Sequence, residues 1–216
     1  MNFKESRRLL CISTAMLAAS VIAPAISAEP VSSIDDFFLA GGMTTTSENY
    51  PTVETSRQLL MAQARAKVNQ FAHTRKLTRT DDQPVVRMNR DTYYSFAVVD
   101  VSEGATITLP AVPEGKYISV QPVTEDHRIQ PMSYGSGTYQ LATHYGKHLY
   151  LIVRLDSTFN EEEANVLQDA MVIAADSAEP FRAEPVDRDS FVAVENSLRQ
   201  KFGELVATYG GNVNEG

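Results

Sequence analysis

The chain has 216 residues, of which 43% are hydrophobic, and this is enough to fold one domain around a sizeable core. Its formal net charge of −8 argues against nucleic acid and anionic lipid as partners. Cys11 is its one cysteine, which excludes an internal disulfide and a cluster of thiolate metal ligands.

Residues 1–28 have the three-part pattern of a secretory signal peptide. Basic residues precede an uncharged apolar run at 9–22, and small residues up to Ala28 follow it. The run is shorter than the roughly 18 apolar residues of a spanning helix, although an uncleaved anchor is the alternative. Cleavage would remove a net charge of +2 and Cys11, leaving 188 residues with a net charge of −10. We therefore expect a periplasmic or extracellular protein without membrane contact after signal cleavage.

The next elements are predicted from composition and spacing. Residues 29–50 are polar and predict a flexible lead-in with a short helical turn near 34–39. Apolar residues at helical spacing predict a helix over 51–73, which begins at a proline suited to a first turn. Short runs of β-branched and aromatic residues, separated by turn residues, predict strands at 85–88, 93–101, 105–109, 117–123, 138–141 and 149–155.

The strand connections are short, which favours antiparallel neighbours and a meander over residues 93–123. Two helices follow, over 160–175 and 189–209. Asn160 and Glu163 form a capping-box pattern at the start of the first, and an apolar stripe in each helix predicts packing against the sheet. The fold class is therefore α+β: one domain over 51–211, with an antiparallel β-sheet or sandwich-like core flanked by an N-terminal helix and two C-terminal helices.

A first polar cluster stands beside the predicted strands. Asn89 and Asp91 precede the strand that contains Tyr94, and Gln121 lies near the end of another strand. These side chains offer hydrogen-bonding groups for the mouth of a ligand pocket. The alternative is that Asn89 and Asp91 bind their own backbone and stabilise a turn.

A second cluster follows Gln121. Glu125 and His127 lie two residues apart, so their side chains share one face of an extended chain. A carboxylate beside a histidine favours general-base chemistry, and the pair could also contribute ligands to a divalent metal. A solvated loop is the alternative. His144 and His148 flank Gly146 and predict a surface hairpin loop, so no metal site is assigned there.

Several segments together resemble domain-of-unknown-function family 1254. They are residues 84–95, 115–121, 125–127, 150–155 and 163–169, within a similarity that runs from about residue 50 to residue 171. In many relatives a second domain of unknown function, numbered 1214, follows, and this chain resembles a short form without it. The resemblance implies a β-rich sheet or sandwich with flanking helices, and it implies no established reaction. It favours a pocket at Asn89, Asp91 and Tyr94, although Arg90 replaces a second Asn found in many relatives.

The leading hypothesis is a non-enzymatic, exported module that binds a small molecule or a partner, with no cofactor predicted. One alternative is a metal-assisted, hydrolase-like enzyme with Glu125 or Asp91 as base, His127 as ligand or acid, and a divalent metal. Another is a structural envelope protein that docks a partner protein through its acidic surface and C-terminal helix.

Overall fold

The computed structural model describes residues 28–79 and 89–209. The predicted signal peptide, apart from Ala28, and the predicted strand 85–88 lie outside these ranges. The helices are a 3-10 helix (Ile34–Asp36), α1 (Tyr50–Arg65), α2 (Glu161–Asp169) and α3 (Arg188–Tyr209). The strands are β1 (Phe38–Met43), β2 (Phe71–His73), β3 (Thr92–Asp100), β4 (Ala105–Leu109), β5 (Ile118–Thr124), β6 (Ser133–Tyr134), β7 (Gly137–Leu141), β8 (His148–Asp156) and β9 (Val172–Ala175). Within the described ranges, the helices are too short or too polar to cross a membrane.

Within the described ranges, eight strands form two antiparallel sheets, and this confirms the predicted α+β fold. The larger sheet has the order β2-β3-β8-β5-β6, and the smaller one has the order β7-β4-β9. Alternate residues of β8, such as Leu151 and Val153, point into a core that also contains Ile107 of β4 and Ala164 of α2. The larger sheet therefore buries one face against the smaller sheet and α2.

A second core lies on the other face of the larger sheet. There Leu59 and Leu60 of α1 join Val98 of β3, Phe37 and Val186. Phe37 is fully buried, and Val31 exchanges two backbone hydrogen bonds with Ala183. The prediction of a flexible lead-in over 29–50 is therefore wrong for this part of the segment, because its few apolar residues pack into the core.

Two predicted helices are too long. The first ends at Arg65, Asn69 takes a left-handed conformation with φ 62°, and Phe71–His73 pairs with β3 as strand β2. The second ends at Asp169, and Val172–Ala175 pairs with β4 as strand β9. In both places pairing with a neighbouring strand outweighs the helical spacing of the local sequence.

The capping box at the start of α2 is confirmed. The side-chain oxygen of Asn160 accepts a hydrogen bond from the backbone N–H of Glu163 at 2.9 Å. The Glu163 carboxylate accepts one from the backbone N–H of Asn160 at 3.1 Å. The sequence pattern therefore predicted the N-cap residue of this helix correctly.

The predicted meander over 93–123 is wrong. β3 pairs with β8, where Phe96 lies opposite Ile152, while β4 pairs with β7 and β9 in the other sheet. The four residues after β3 include Gly104 at φ 110°, and they carry the chain from one sheet to the other. A short connection here changes sheets instead of forming a hairpin.

The C-terminal helix α3 packs mainly through its first turns. Phe191 is buried and stacks on Tyr50, with ring centroids 5.4 Å apart. The next residue, Val192, is exposed, and so is Leu205 further along the helix. The predicted apolar stripe is therefore buried at Phe191 and exposed at Leu205, and its other members are half-buried, namely Val194, Leu198, Phe202 and Val206.

Candidate functional site

A cavity of about 370 Å³ lies between the start of α1, the turn after β5 and residues 181–186. This volume falls within the range of small-molecule sites, about 300–1,000 Å³. Its apolar lining residues are Phe37, Met43, Val53, Phe181, Ala183 and Val186, and its polar ones are Thr52, Ser56, Glu125, Tyr145, Arg182 and Glu184. The cavity therefore combines an apolar interior with charged groups, a composition typical of ligand sites.

The turn after β5 places Glu125 at this cavity. Thr124 donates a side-chain hydrogen bond to Asp126 at 2.5 Å, and its carbonyl accepts the N–H of His127 at 2.9 Å. His127 has a left-handed φ of 63°, which reverses the chain. Glu125 is thereby directed at the start of β8, where its Oε1 accepts the backbone N–H groups of Lys147 and His148, both at 2.8 Å.

Gly146 makes room for this carboxylate. Its φ is 72°, a conformation that favours glycine. A Cβ at this position would lie 2.2 Å from the Glu125 carboxyl carbon and 2.4 Å from each carboxyl oxygen. The loop before β8 therefore depends on glycine for two separate reasons, the backbone conformation and the packing of Glu125.

His148 is the histidine that pairs with Glu125. Its Nδ1 lies 3.3 Å from Glu125 Oε1. Burial opposes ionisation of Glu125, but the hydrogen bonds from His148 and the backbone N–H groups of Lys147 and His148 outweigh it and lower the pKa of the carboxyl. The carboxylate is therefore ionised at neutral pH.

The predicted pairing of Glu125 with His127 is wrong. The Nδ1 of His127 lies 2.7 Å from the hydroxyl of Thr55, a buried residue of α1. Side chains two residues apart share a face only in an extended chain, and the left-handed turn at His127 breaks that rule. His148 was not recognised because it is 23 positions from Glu125 and meets it only through the folded loops.

His148 is buried, with 6% of its surface exposed, and is the first residue of β8. The prediction that it lies in a surface loop is therefore wrong. Its Nε2 lies 2.9 Å from the carbonyl oxygen of Glu179, and its ring meets the ring of Phe181 edge-on at 5.5 Å. Burial opposes its charge, but the hydrogen bonds to Glu125 and Glu179 and the charges of Glu125 and Asp100 outweigh burial and raise the pKa of His148.

Asp100, which lies opposite His148 in the β3–β8 pairing, is fully buried. Its Oδ1 accepts the N–H and hydroxyl of Ser102 at 3.0 and 2.6 Å. Its Oδ2 accepts the hydroxyl of Ser177 at 2.5 Å and the N–H of Glu179 at 2.9 Å. Burial opposes ionisation, but these hydrogen bonds outweigh it and hold the pKa of Asp100 far below its usual value. Residues 177–186, which we call the strap, are thereby fixed to the end of the sheet.

The first predicted cluster is divided between two places. The Asn89 side chain accepts the N–H of Asp91 at 2.9 Å in an exposed turn. Tyr94 and Gln121 instead meet at Arg154, whose Nη1 donates to the Gln121 side-chain oxygen at 2.7 Å. The Arg154 guanidinium lies 5.8 Å from the centroid of the Tyr94 ring. Sequence reasoning missed Arg154, which the β3–β8 register places opposite Tyr94.

Asp91 lies far from the cavity. Asp91 precedes β3, whereas Glu125 lies near Asp100 at the other end of that strand. Nine residue steps of about 3.3 Å separate Asp91 from Asp100, which is roughly 30 Å. In the described ranges, no three His, Cys, Asp or Glu side chains are grouped so that they could hold a metal ion. Glu125, His127 and Asp91 therefore do not form one donor set.

Comparison with known proteins gives a family and a structural likeness. Residues 68–173 match the family model described as "Protein of unknown function (DUF1254)", so the predicted resemblance is confirmed. None of the curated proteins matches the chain. The crystal structure of the VPA0106 protein from Vibrio parahaemolyticus is similar, at 19% identity and a TM-score of 0.44. The similarity covers 65% of this chain and 39% of that one, so the chain spans about two fifths of its length.

Proposed function

We propose that this chain, whose residues 68–173 match the DUF1254 family model, is a binding module whose small-molecule ligand occupies the cavity at Glu125. We also propose that it works in the periplasm or outside the cell, as the signal-peptide pattern of residues 1–28 indicates. The cavity supports this function best because hydrogen bonds from the protein's own backbone hold its polar anchor in place.

That anchor is the Glu125 carboxylate. Its Oε1 accepts the backbone N–H groups of Lys147 and His148, and the Nδ1 of His148 lies 3.3 Å from the same oxygen. Within the described ranges its Oε2 has no hydrogen bond, and the side chain lines the cavity. A group that is held in place before binding loses little conformational freedom when the ligand arrives, and this favours affinity.

The lining indicates the chemistry of the ligand. Half of the lining residues are apolar, which suits a hydrocarbon body. Glu125 and Glu184 contribute carboxylates, and Arg182 contributes a charge of the opposite sign. Because hydrogen bonds between ionised groups are about twice as strong as neutral ones, we propose a small amphiphilic amine as the ligand class.

Glu125→Gln should weaken binding of such an amine. We expect 2-phenylethylamine to bind the purified chain about tenfold more tightly than 2-phenylethanol, because only the amine is charged at neutral pH. Gln keeps an oxygen for the N–H groups of Lys147 and His148 but removes the negative charge, so the preference for the amine should disappear. Isothermal titration calorimetry of both compounds measures this.

Asp126→Asn is the matched control. It removes one negative charge from the adjacent position, and the Asp126 carboxylate faces Thr124, His144 and Arg128. The affinity for the amine should stay within about twofold of the wild-type value, because residue 126 is not part of the lining. An unchanged affinity in Glu125→Gln, or no binding of either compound to the wild-type chain, would contradict the proposal.

A second candidate function is docking of an envelope protein through α3. The observation that favours it is the exposed side chain of Leu205, beside which Phe202 and Val206 of the same apolar stripe are half-buried. A photo-cross-linking residue at Leu205 should then capture one discrete partner in cells, whereas one at the exposed Gln200 should not. Equal capture at both positions would argue against this function.

A further inference from the structure

His148 has a hydrogen-bond acceptor at each ring nitrogen. The Glu125 carboxylate lies at Nδ1, and the carbonyl oxygen of Glu179 lies at Nε2. Neither of these oxygens can donate a hydrogen bond while Glu125 is ionised. A neutral imidazole has one N–H and can satisfy one of them, whereas the imidazolium has two and satisfies both. Both contacts are therefore hydrogen bonds only when His148 is protonated.

The surroundings of His148 favour its cationic form. Asp100 faces it from β3, and Glu125 faces it from the turn after β5. The strap contributes the Glu179 carbonyl oxygen and the edge of the Phe181 ring. The charged neighbours are thus both negative, and the partner from the strap is an acceptor.

The imidazole joins two walls of the cavity. Glu125 belongs to one wall, and the strap supplies the other through Phe181, Arg182 and Ala183. Asp100 holds the N–H of Glu179, while His148 holds its carbonyl oxygen. The next attachment along the strap is the N–H of Phe181, which donates to the Gln63 side chain at 2.8 Å. His148 thus holds the strap at the Glu179 carbonyl, between the attachment to Asp100 and the attachment to Gln63.

We propose that the proton on His148 fastens the strap to the Glu125 turn, so that the strap loosens around Glu179 and Phe181 as the pH rises. Loss of this proton leaves a nitrogen lone pair facing one of the two oxygens, and one contact must break. The attachment is complete below the ordinary histidine pKa of about 6.5 and is lost as the pH rises through the higher pKa of folded His148. This inference concerns the chain alone and does not depend on the ligand proposed above.

Nuclear magnetic resonance of the full chain between pH 5 and pH 9 tests the proposal. The ¹⁵N shifts of His148 should show both ring nitrogens protonated at pH 6.5. Hydrogen exchange at the Phe181 amide, corrected for the intrinsic effect of pH, should become at least about tenfold less protected as His148 loses its proton. The loss of the His148 proton and the loss of protection at the Phe181 amide should have the same midpoint pH.

Two variants separate this mechanism from a general effect of pH. In His148→Gln the protection of the Phe181 amide should no longer depend on pH. In His144→Gln, which alters an exposed histidine bound to Asp126, the dependence should remain as in the wild-type chain. A neutral His148 at pH 6.5, or the same pH dependence in His148→Gln as in the wild-type chain, would overturn the proposal. If His148→Gln does not fold, the wild-type titration decides, because separate midpoints for the ring and the amide would equally overturn it.

Discussion

Asp100→Ala should lower the free energy of unfolding by about 3 kcal/mol at pH 7. The change removes the acceptor of four hydrogen bonds, two from backbone N–H groups and two from serine hydroxyls. Each buried donor that is left without an acceptor lowers the free energy of unfolding by about 1–3 kcal/mol. Water can reach part of this site after the side chain is shortened, so the total loss is smaller than the sum over four donors. Urea unfolding followed by circular dichroism measures the change.

Asp176→Ala is the control, since Asp176 is an exposed carboxylate near the same loop. The free energy of unfolding of this variant should differ from the wild-type value by less than about 0.5 kcal/mol.

The pH dependence of the Asp100→Ala effect provides a second check. Because the pKa of Asp100 is lowered in the folded protein, its contribution is complete above the ordinary carboxyl pKa of about 4 and is lost as the pH falls further. The difference between wild type and Asp100→Ala should therefore narrow below pH about 4. A difference under about 1 kcal/mol at pH 7 would contradict this account.

Gly146→Ala should both destabilise the protein and remove amine binding. The added Cβ would overlap the Glu125 carboxyl group, so that side chain must leave its three donors. The left-handed conformation adds a further cost of roughly 1–2 kcal/mol for a non-glycine residue. We expect a total loss of about 3 kcal/mol, measured by urea unfolding, and at least a tenfold loss of 2-phenylethylamine affinity, measured by calorimetry.

Gly115→Ala separates the two causes. Gly115 has φ 80°, close to that of Gly146, but an added Cβ would meet no atom within 4 Å. This variant should therefore lose only the conformational part, roughly 1–2 kcal/mol, and keep the wild-type affinity for the amine. If both variants lose the same free energy and both keep binding, Gly146 does not position Glu125.

Local patterns predicted the elements of this fold better than their pairing. The capping box identified Asn160 as the N-cap of α2 because its hydrogen bonds join residues three positions apart. The runs of β-branched and aromatic residues in β3 and β8 likewise indicated strands. The pairing of strands depends on contacts between segments that are distant in the sequence, such as Phe96 with Ile152. The pattern of neighbouring residues does not predict these contacts.

The candidate site shows the same division. Glu125 was recognised from its place among polar residues at a strand end, and the structure places it in the cavity wall. Its partner could not be recognised in the same way, because His148 reaches it from another strand. Asn89 and Asp91 carry the more distinctive motif, yet their hydrogen bond serves a local turn, as short polar side chains before a strand often do.

The place of β8 in the larger sheet has a consequence for how the chain folds. β8 lies between β3 and β5, although both precede it in the sequence, so a growing chain cannot join them until residue 156 has been synthesised. Until then β3 and β5 present unpaired edges, which are prone to pair with other chains. Pairing across such long stretches of sequence also slows folding. Assembly of the larger sheet should therefore be a late and slow event, completed after most of the polypeptide exists.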